Sequence, residues 1–276
     1  MLNKFFIEEH VKSALNEDIG FGDITTDYLT NENDIMSCKL TSRCEGIFCG
    51  KDVFEAVFKV LSDKVVVDFY KNDGDVIKKG DIIADINGPA KYVLMGERTA
   101  LNYVQRMSGI ATETNKYQKA IGEYNAKIVD TRKTTPLFRA FEKYAVKTGG
   151  GSLHRFNLSD CAMIKDNHIS YAGSITKAVE KLKKNISHAQ TIEVECDNFE
   201  QVKEAVACGV DIIMLDNMTI GQMKDCVDYI AGKAIVEASG NVNLDTVKSI
   251  ASTGVDIISS SAIVAKAPTL DLGLDS

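Results

Sequence analysis

Three clusters between residues 130 and 168 of this 276-residue chain have the residue types and spacing to gather a small, multiply charged anion. Asp130-Thr131-Arg132-Lys133-Thr134-Thr135-Pro136 sets a planar, bidentate donor beside a movable point charge, a pair suited to carboxylates and phosphates. Gly149-Gly150-Gly151-Ser152-Leu153-His154-Arg155 follows, and ten residues later comes Lys165-Asp166-Asn167-His168. Three consecutive glycines let the backbone approach a ligand or a neighbouring element closely. A solvated basic loop explains the first cluster, taken alone, as well as an anion site does, and a tight loop explains the glycines. Neither explains why basic residues recur at two successive strand ends. For His168 a hydrogen-bonded structural role is the expectation.

The acidic partners come next. Glu193 and Glu195 are alternate residues and share one face of a strand, and Asp216 ends the following one. Such carboxylates can hold ribose hydroxyls or Mg²⁺, or stabilise a developing cation. The plainer alternative is that they pair with Lys133 and Lys165. Ser239-Gly240-Asn241 and Ser259-Ser260-Ser261 then close two strands in small, hydrogen-bonding residues. Barrels build the phosphate site of their last strands in this way, from loop amides and a helix start. Basic side chains, carboxylates opposite them and a phosphate cradle together imply a phosphorylated sugar plus a second anionic group.

These residues need a scaffold that brings strand ends together. After about Ala126 the chain runs in short, β-branched, nearly all-apolar segments (Lys127–Thr131, Cys161–Lys165, Thr191–Glu195, Val210–Asp216, Ala234–Ser239, Val255–Ser260) that alternate with helical ones. The helical segments include 138–147, 175–184, 199–208 and 222–231. Apolar strands separated by helices predict a parallel sheet with right-handed crossovers. Lys133, Lys165, Glu195, Asp216, Ser239 and Ser260 follow these strands at separations of 32, 30, 21, 23 and 21 residues, the length of single βα units. Six successive strand ends carrying ligand-competent residues favour a closed barrel over a doubly wound sheet, which uses only its switch point. Six strands are fewer than eight, so a shorter α/β barrel is expected. Between Ile35 and Ile86 the pattern alternates with period two and turn signals, predicting a small, mostly antiparallel sheet. Residues 92–107 then have helical periodicity.

Hydrophobic residues make up 45% and charged residues 26% of the chain, enough for a large barrel or a barrel with a companion domain. The net charge of −7 argues against nucleic acid as the main partner, because phosphate-backbone binding needs a broad basic face. Seven cysteines, an odd number without a CxxC pair, suggest reduced thiols and neither a zinc knuckle nor a disulfide framework. No signal peptide or membrane span is visible, so a soluble cytoplasmic protein is expected.

In its motifs the chain closely resembles the quinolinate phosphoribosyltransferase family. They are GFGDIT at Gly20–Thr25, GERTALNYVQRMSGIAT at Gly96–Thr112, DTRKTTP at Asp130–Pro136, EKYAVKTGGG at Glu142–Gly151, HR at His154–Arg155, IKDNH at Ile164–His168, EVE at Glu193–Glu195, MLDN at Met214–Asn217 and SGN at Ser239–Asn241. The resemblance implies an N-terminal α/β sandwich domain (1–112) joined to an incomplete α/β barrel (113–276) whose last residues return to the first domain. It implies transfer of phosphoribose from phosphoribosyl pyrophosphate to quinolinate, with loss of CO2 and with Mg²⁺ as cofactor. It also implies a homodimer, which can assemble further into a hexamer, with each site completed by the neighbouring subunit's Arg98. By the same carry-over Arg132, His154, Arg155 and Lys165 hold the quinolinate carboxylates. Lys133 meets phosphoribosyl pyrophosphate, Glu195 and Asp216 its ribose and Mg²⁺, and Thr131 is a further substrate-binding residue. The serine-rich ends at Ser239–Asn241 and Ser259–Ser261 take its 5′-phosphate. Lys133, Glu195 and Asp216 are the residues expected to serve the chemistry.

Three positions depart from the family pattern. Leu137 and Leu153 stand where Gly and Asn are more frequent, and Ser261 where Gly is usual, but no charge is lost. The related protein of molybdenum-transport operons shares TRKT and HR but typically lacks KDNH, which is intact here. A non-catalytic anion-binding barrel is the other alternative. Carboxylates facing the basic cluster argue against it, since they repel an anion unless a sugar or metal intervenes.

Overall fold

The computed structural model describes residues 2–31 and 33–276. Contacts divide the chain into two compact units, one of Met1–Asn115, Pro136–Gly150 and Ala267–Ser276, the other of Lys116–Thr135 and Gly151–Lys266. The first unit begins with α1 (Lys4–Ile19), where the Asn3 side chain accepts from the Phe5 N–H at 2.9 Å and satisfies a free amide of the first turn. Its Ile7, Val11 and Leu15, four apart, form the buried stripe. There follow α2 (Thr26–Leu29), β1 (Ile35–Ser42), β2 (Gly46–Ile47), α3 (Lys51–Leu61), β3 (Val66–Phe69), β4 (Val76–Ile77), β5 (Ile82–Pro89) and α4 (Ala90–Ile121).

The antiparallel sheet expected over 35–86 is present, with β1 paired to β5 and β5 to β3. It is interrupted by α3, which the period-two pattern passed over. Val53, Phe54, Val57 and Phe58 are all fully buried, and their i, i+1, i+4, i+5 spacing is a helical face. Four large side chains at that spacing cannot share one face of a strand, so burial decides for helix.

The second unit carries β6 (Lys127–Val129). After α5 (Arg139–Thr148), which belongs to the first unit, it continues with β7 (Cys161–Ile164), α6 (Asp166–Ala172), α7 (Ile175–Lys183), β8 (Thr191–Cys196), α8 (Phe199–Cys208), β9 (Ile212–Asp216), α9 (Ile220–Ile230), β10 (Ile235–Ser239), α10 (Val247–Ala251), β11 (Ile257–Ser259) and α11 (Ala262–Ala265). All six strands are parallel, in the order β6-β11-β10-β9-β8-β7. That is the chain-order winding of a barrel left open between β6 and β7. Ser152 makes one parallel bridge to Val129 at the β6 edge. The chain ends in β12 (Leu272–Asp275), antiparallel to β1 in the first unit.

The contact boundary falls within α4, which runs unbroken past residue 112, and α5 groups with the first unit rather than the barrel. The reason is a cluster of rings in which Phe138 and Phe141 pack on Tyr103 and His10. The buried Glu142 carboxylate adds a bond from Arg106 Nη2 at 2.8 Å. A barrel helix was the sequence expectation for this segment; aromatic burial overrides it. Gly149 shows what the triple glycine does locally: a Cβ there would stand 2.3 Å from the Ala111 carbonyl oxygen of α4.

Leu137 is 89% exposed and has φ of 63°, the left-handed region that costs a non-glycine residue about 1–2 kcal/mol. This is one of the positions where the family more often has glycine. Leu137→Gly removes the strain but loosens the unfolded chain by about 0.5–1 kcal/mol, so a net gain of about 0.5–1 kcal/mol is expected. Urea unfolding checks it: an unchanged or lower midpoint would show that Leu137 is not strained in the folded protein.

Candidate active site

The carboxyl ends of the six strands surround a cavity of about 590 Å³. Its walls bring together Thr131, Arg132, Lys133, His154, Arg155, Lys165, Glu195, Asp216, Ser239, Gly240, Asn241, Ser259, Ser260 and Ser261, fourteen of the fifteen substrate-site residues that the family resemblance implies. All of the cavity's lining belongs to the second unit. Arg98, exposed on α4 in the first unit, is not part of it.

Each strand delivers its residue for a local reason. Lys165 follows β7 directly and precedes α6; its backbone N–H donates to His168 Nδ1 at 3.0 Å, which fixes the helix start. His168 therefore has the structural role expected of it. The Lys165 ammonium forms an ion pair with Glu195 near the end of β8. The pairing alternative considered for that carboxylate is realised, yet both side chains still face the cavity. Arg155 is held by donating from Nη1 to the Cys161 carbonyl at 2.9 Å, with Nη2 3.4 Å from Met163 Sδ.

The ends of β9 and β10 are laced together by amide side chains. Asn217 Nδ2 donates to Asp216 Oδ2 at 2.7 Å, and Asn241 Nδ2 donates to Asn217 Oδ1 at 3.3 Å. Asn217 and Asn241 are left-handed, at φ of 53° and 51°. Gly240, at φ +95°, is irreplaceable on both counts, since a Cβ would stand 2.2 Å from Asn217 Oδ1. Ser260 Oγ accepts from the Ala262 N–H at 3.2 Å, so one serine of the last strand end supports its own loop.

Below this rim lies a feature that sequence reasoning missed. His154, with 11% of its side chain exposed, sets Nε2 3.4 Å from a carboxylate oxygen of Glu193 on β8 and 3.4 Å from one of Glu237 on β10. Asp130 Oδ1 accepts the His154 backbone N–H at 2.9 Å and ties that loop to the end of β6. Burial on its own lowers the proton affinity of the imidazole, but the two carboxylates outweigh it and push the His154 pKa up to about 10. Glu193 is also shifted upward, first by burial and further by Glu237, against the opposing pull of His154. His154 Nδ1 accepts the Arg155 N–H at 2.7 Å, which orients the ring with Nε2 toward the two carboxylates. The signal available in the sequence was a lone glutamate inside the apolar run Ile235–Ser239, two residues before the site serine.

An all-parallel barrel with cations, carboxylates and serines converging on one mouth defines a barrel of the enzyme type, built for a polyanionic small molecule. Quinolinate phosphoribosyl transferase models match its two parts, the N-terminal domain over residues 23–108 and the C-terminal domain over 110–275. The chain belongs to the quinolinate phosphoribosyltransferase family. Among its relatives, a probable nicotinate-nucleotide pyrophosphorylase (carboxylating) of Bacillus subtilis is 40% identical, the match covering 100% of this chain and 92% of that protein. A counterpart from Synechocystis is 43% identical over 97% of this chain and 92% of its own length. The crystal structure of NadC from Streptococcus pyogenes superposes with a TM-score of 0.97 at 38% identity, covering 100% of this chain and 98% of that one.

Proposed function

We propose that this chain transfers the phosphoribosyl group of phosphoribosyl pyrophosphate to quinolinate and releases pyrophosphate and CO2, forming nicotinate mononucleotide for NAD biosynthesis. The observation that carries this is the convergence, in one cavity, of Arg132, His154, Arg155 and Lys165 from either side of the barrel opening with the serine ends of β10 and β11. Arg132, Arg155 and Lys165 receive the two carboxylates, with His154 turned toward Glu193 and Glu237 behind them, and Ser239–Asn241 with Ser259–Ser261 receives the 5′-phosphate. Lys133 and Thr131 face the pyrophosphate side. Glu195, steadied by Lys165, and Asp216 stabilise positive charge developing at the anomeric carbon as the pyridine nitrogen attacks it. The alkylated pyridinium then accepts the electron pair of the departing carboxylate as CO2 leaves, and that carbon takes up a proton. No covalent nucleophile is needed; catalysis rests on positioning and electrostatics.

The donor set fits magnesium, a hard cation that takes oxygen ligands. Glu195 is engaged by Lys165, which leaves Asp216 as the carboxylate facing an ion carried in on the pyrophosphate. An ion held there would supply positive charge to offset that developing on the leaving group. All seven cysteines are free, which supports the cytoplasm as the setting; no helix among the described residues is long and apolar enough to cross a membrane. Incubation of the purified protein with quinolinate, phosphoribosyl pyrophosphate and Mg²⁺ tests the assignment. Failure to form nicotinate mononucleotide would overturn it.

The exposed Arg98 supports a shared site in a homodimer, where it reaches the neighbouring subunit's barrel. Inactive Arg98→Ala and Lys165→Ala chains, mixed and reassembled, are then expected to regain partial activity, because one site of each hybrid carries neither lesion. Hybrids that form but stay inactive would place Arg98 elsewhere.

A further inference from the structure

The serine end of the cavity has a cation that neither the strand-end pattern nor the family resemblance assigns. Lys266 lines the same cavity as Ser239–Asn241 and Ser259–Ser261, and it stands with them in the second unit. Its placement follows from the turn after β11. Ser260, 5% exposed, donates from Oγ to the Val242 carbonyl at 3.4 Å and accepts the Ala262 N–H at 3.2 Å. That hydroxyl joins the loop after β10 to the loop after β11. The Ser261 carbonyl accepts the Val264 and Ala265 N–H groups at 3.2 and 2.7 Å, and the Ala262 carbonyl accepts that of Lys266 at 3.1 Å. The short turn of α11 so formed buries Ile263 and Val264 and leaves Lys266 exposed at the cavity wall.

The charges on this wall give that lysine its importance. From β8 onward the described lining residues bring three carboxylates, Glu195, Asp216 and Glu237, and one cation, Lys266. The other polar groups there are amides and hydroxyls. A sugar phosphate carries about two negative charges at neutral pH. Neutral donors fix such a group in place without balancing its charge, and carboxylates on the same wall oppose it.

The Lys266 ammonium is free to answer that charge. It forms no ion pair and no side-chain hydrogen bond among the described residues, whereas Lys165 is paired with Glu195 and Arg155 is braced by the Cys161 carbonyl. A lysine is a compact point charge on a flexible four-carbon stem, which suits a phosphate entering from solvent.

We propose that Lys266 is a further substrate-binding residue, whose ammonium contacts the 5′-phosphate of phosphoribosyl pyrophosphate and supplies the positive charge that the serine ends of β10 and β11 lack. The inference rests on the phosphoribosyl transfer proposed above. It leaves the pyrophosphate to Lys133, so that two lysines serve the two anionic ends of one substrate.

Ribose 5-phosphate and inorganic pyrophosphate probe those ends separately. Binding of each to the parent, Lys266→Gln and Lys266→Arg, followed in ³¹P spectra at low ionic strength, tests the assignment. Lys266→Gln is expected to weaken ribose 5-phosphate about fivefold to tenfold, the loss of one charge-assisted contact at a partly solvated site, and Lys266→Arg to keep most of the affinity. The difference is expected to shrink at high salt, because an exposed charge is screened. Pyrophosphate and quinolinate are expected to bind Lys266→Gln as they bind the parent. Equal ribose 5-phosphate binding in all three proteins, or a loss confined to pyrophosphate, would overturn the proposal. Neither probe needs turnover. A parent protein that formed no nicotinate mononucleotide yet bound ribose 5-phosphate through Lys266 would refute the proposed reaction and leave this inference standing.

Discussion

Replacing Arg155 or Lys165 with alanine is expected to weaken quinolinate binding by about tenfold to a hundredfold each, with the fold intact. Each removes a charge-assisted contact to a carboxylate in a half-enclosed cavity, worth roughly 1.5–3 kcal/mol, at 1.4 kcal/mol per decade. The structure separates the two cases. Arg155 is braced by the Cys161 carbonyl and Met163, so its loss takes a fixed, preorganised donor and leaves a hole beside β7. Lys165 is paired with Glu195, so its loss also frees a carboxylate that then repels the incoming dianion. The larger effect on the quinolinate KM is therefore expected for Lys165→Ala, and a milder one for Lys165→Gln, which keeps a donor to Glu195. Steady-state kinetics with phosphoribosyl pyrophosphate saturating, and circular dichroism for the fold, decide the matter. Unchanged quinolinate binding in both alanine variants would remove these residues from the pocket.

How much of this site was legible in the sequence depended on where each residue stands along its strand. Lys165, Asp216, Ser239 and Ser260 end or directly follow buried strands, and a charged or small residue closing an apolar run is a pattern that periodicity exposes. The barrel followed from the same runs, because six of them with βα spacing leave little choice of topology. Glu237 was hidden for the opposite reason. It lies inside β10, where a single charge reads as an interruption of a strand, and its meaning depends on His154 and Glu193, 83 and 44 residues away in sequence. No local pattern encodes that meeting. The helix α3 and the placement of α5 were lost to tertiary burial, which outranks the local alternation around them.

Discrimination by the pocket rests on the number of donors that need an acceptor. Arg132, Arg155 and Lys165 line one cavity with His154, and the proposed Arg98 of a neighbouring subunit would add to them. One carboxylate takes one bidentate arginine and one further donor usefully before its acceptor sites fill. A pyridine with a single carboxylate would therefore desolvate the whole basic group while satisfying only part of it, and the remainder would lose water without gaining an anion. The two-carboxylate substrate avoids that cost. Losing one charge-assisted set is worth about 3 kcal/mol, so quinolinate is expected to react about a hundredfold faster, at matched low concentration, than nicotinate or picolinate. Nicotinamide, with no anionic group, is expected to give no detectable turnover. The preference resides in binding as much as in the later loss of CO2, so it is expected in dissociation constants measured without phosphoribosyl pyrophosphate as well as in kcat/KM. Nicotinate reacting as well as quinolinate, with phosphoribosyl pyrophosphate and Mg²⁺ present, would refute the two-carboxylate pocket and point to a monocarboxylate substrate.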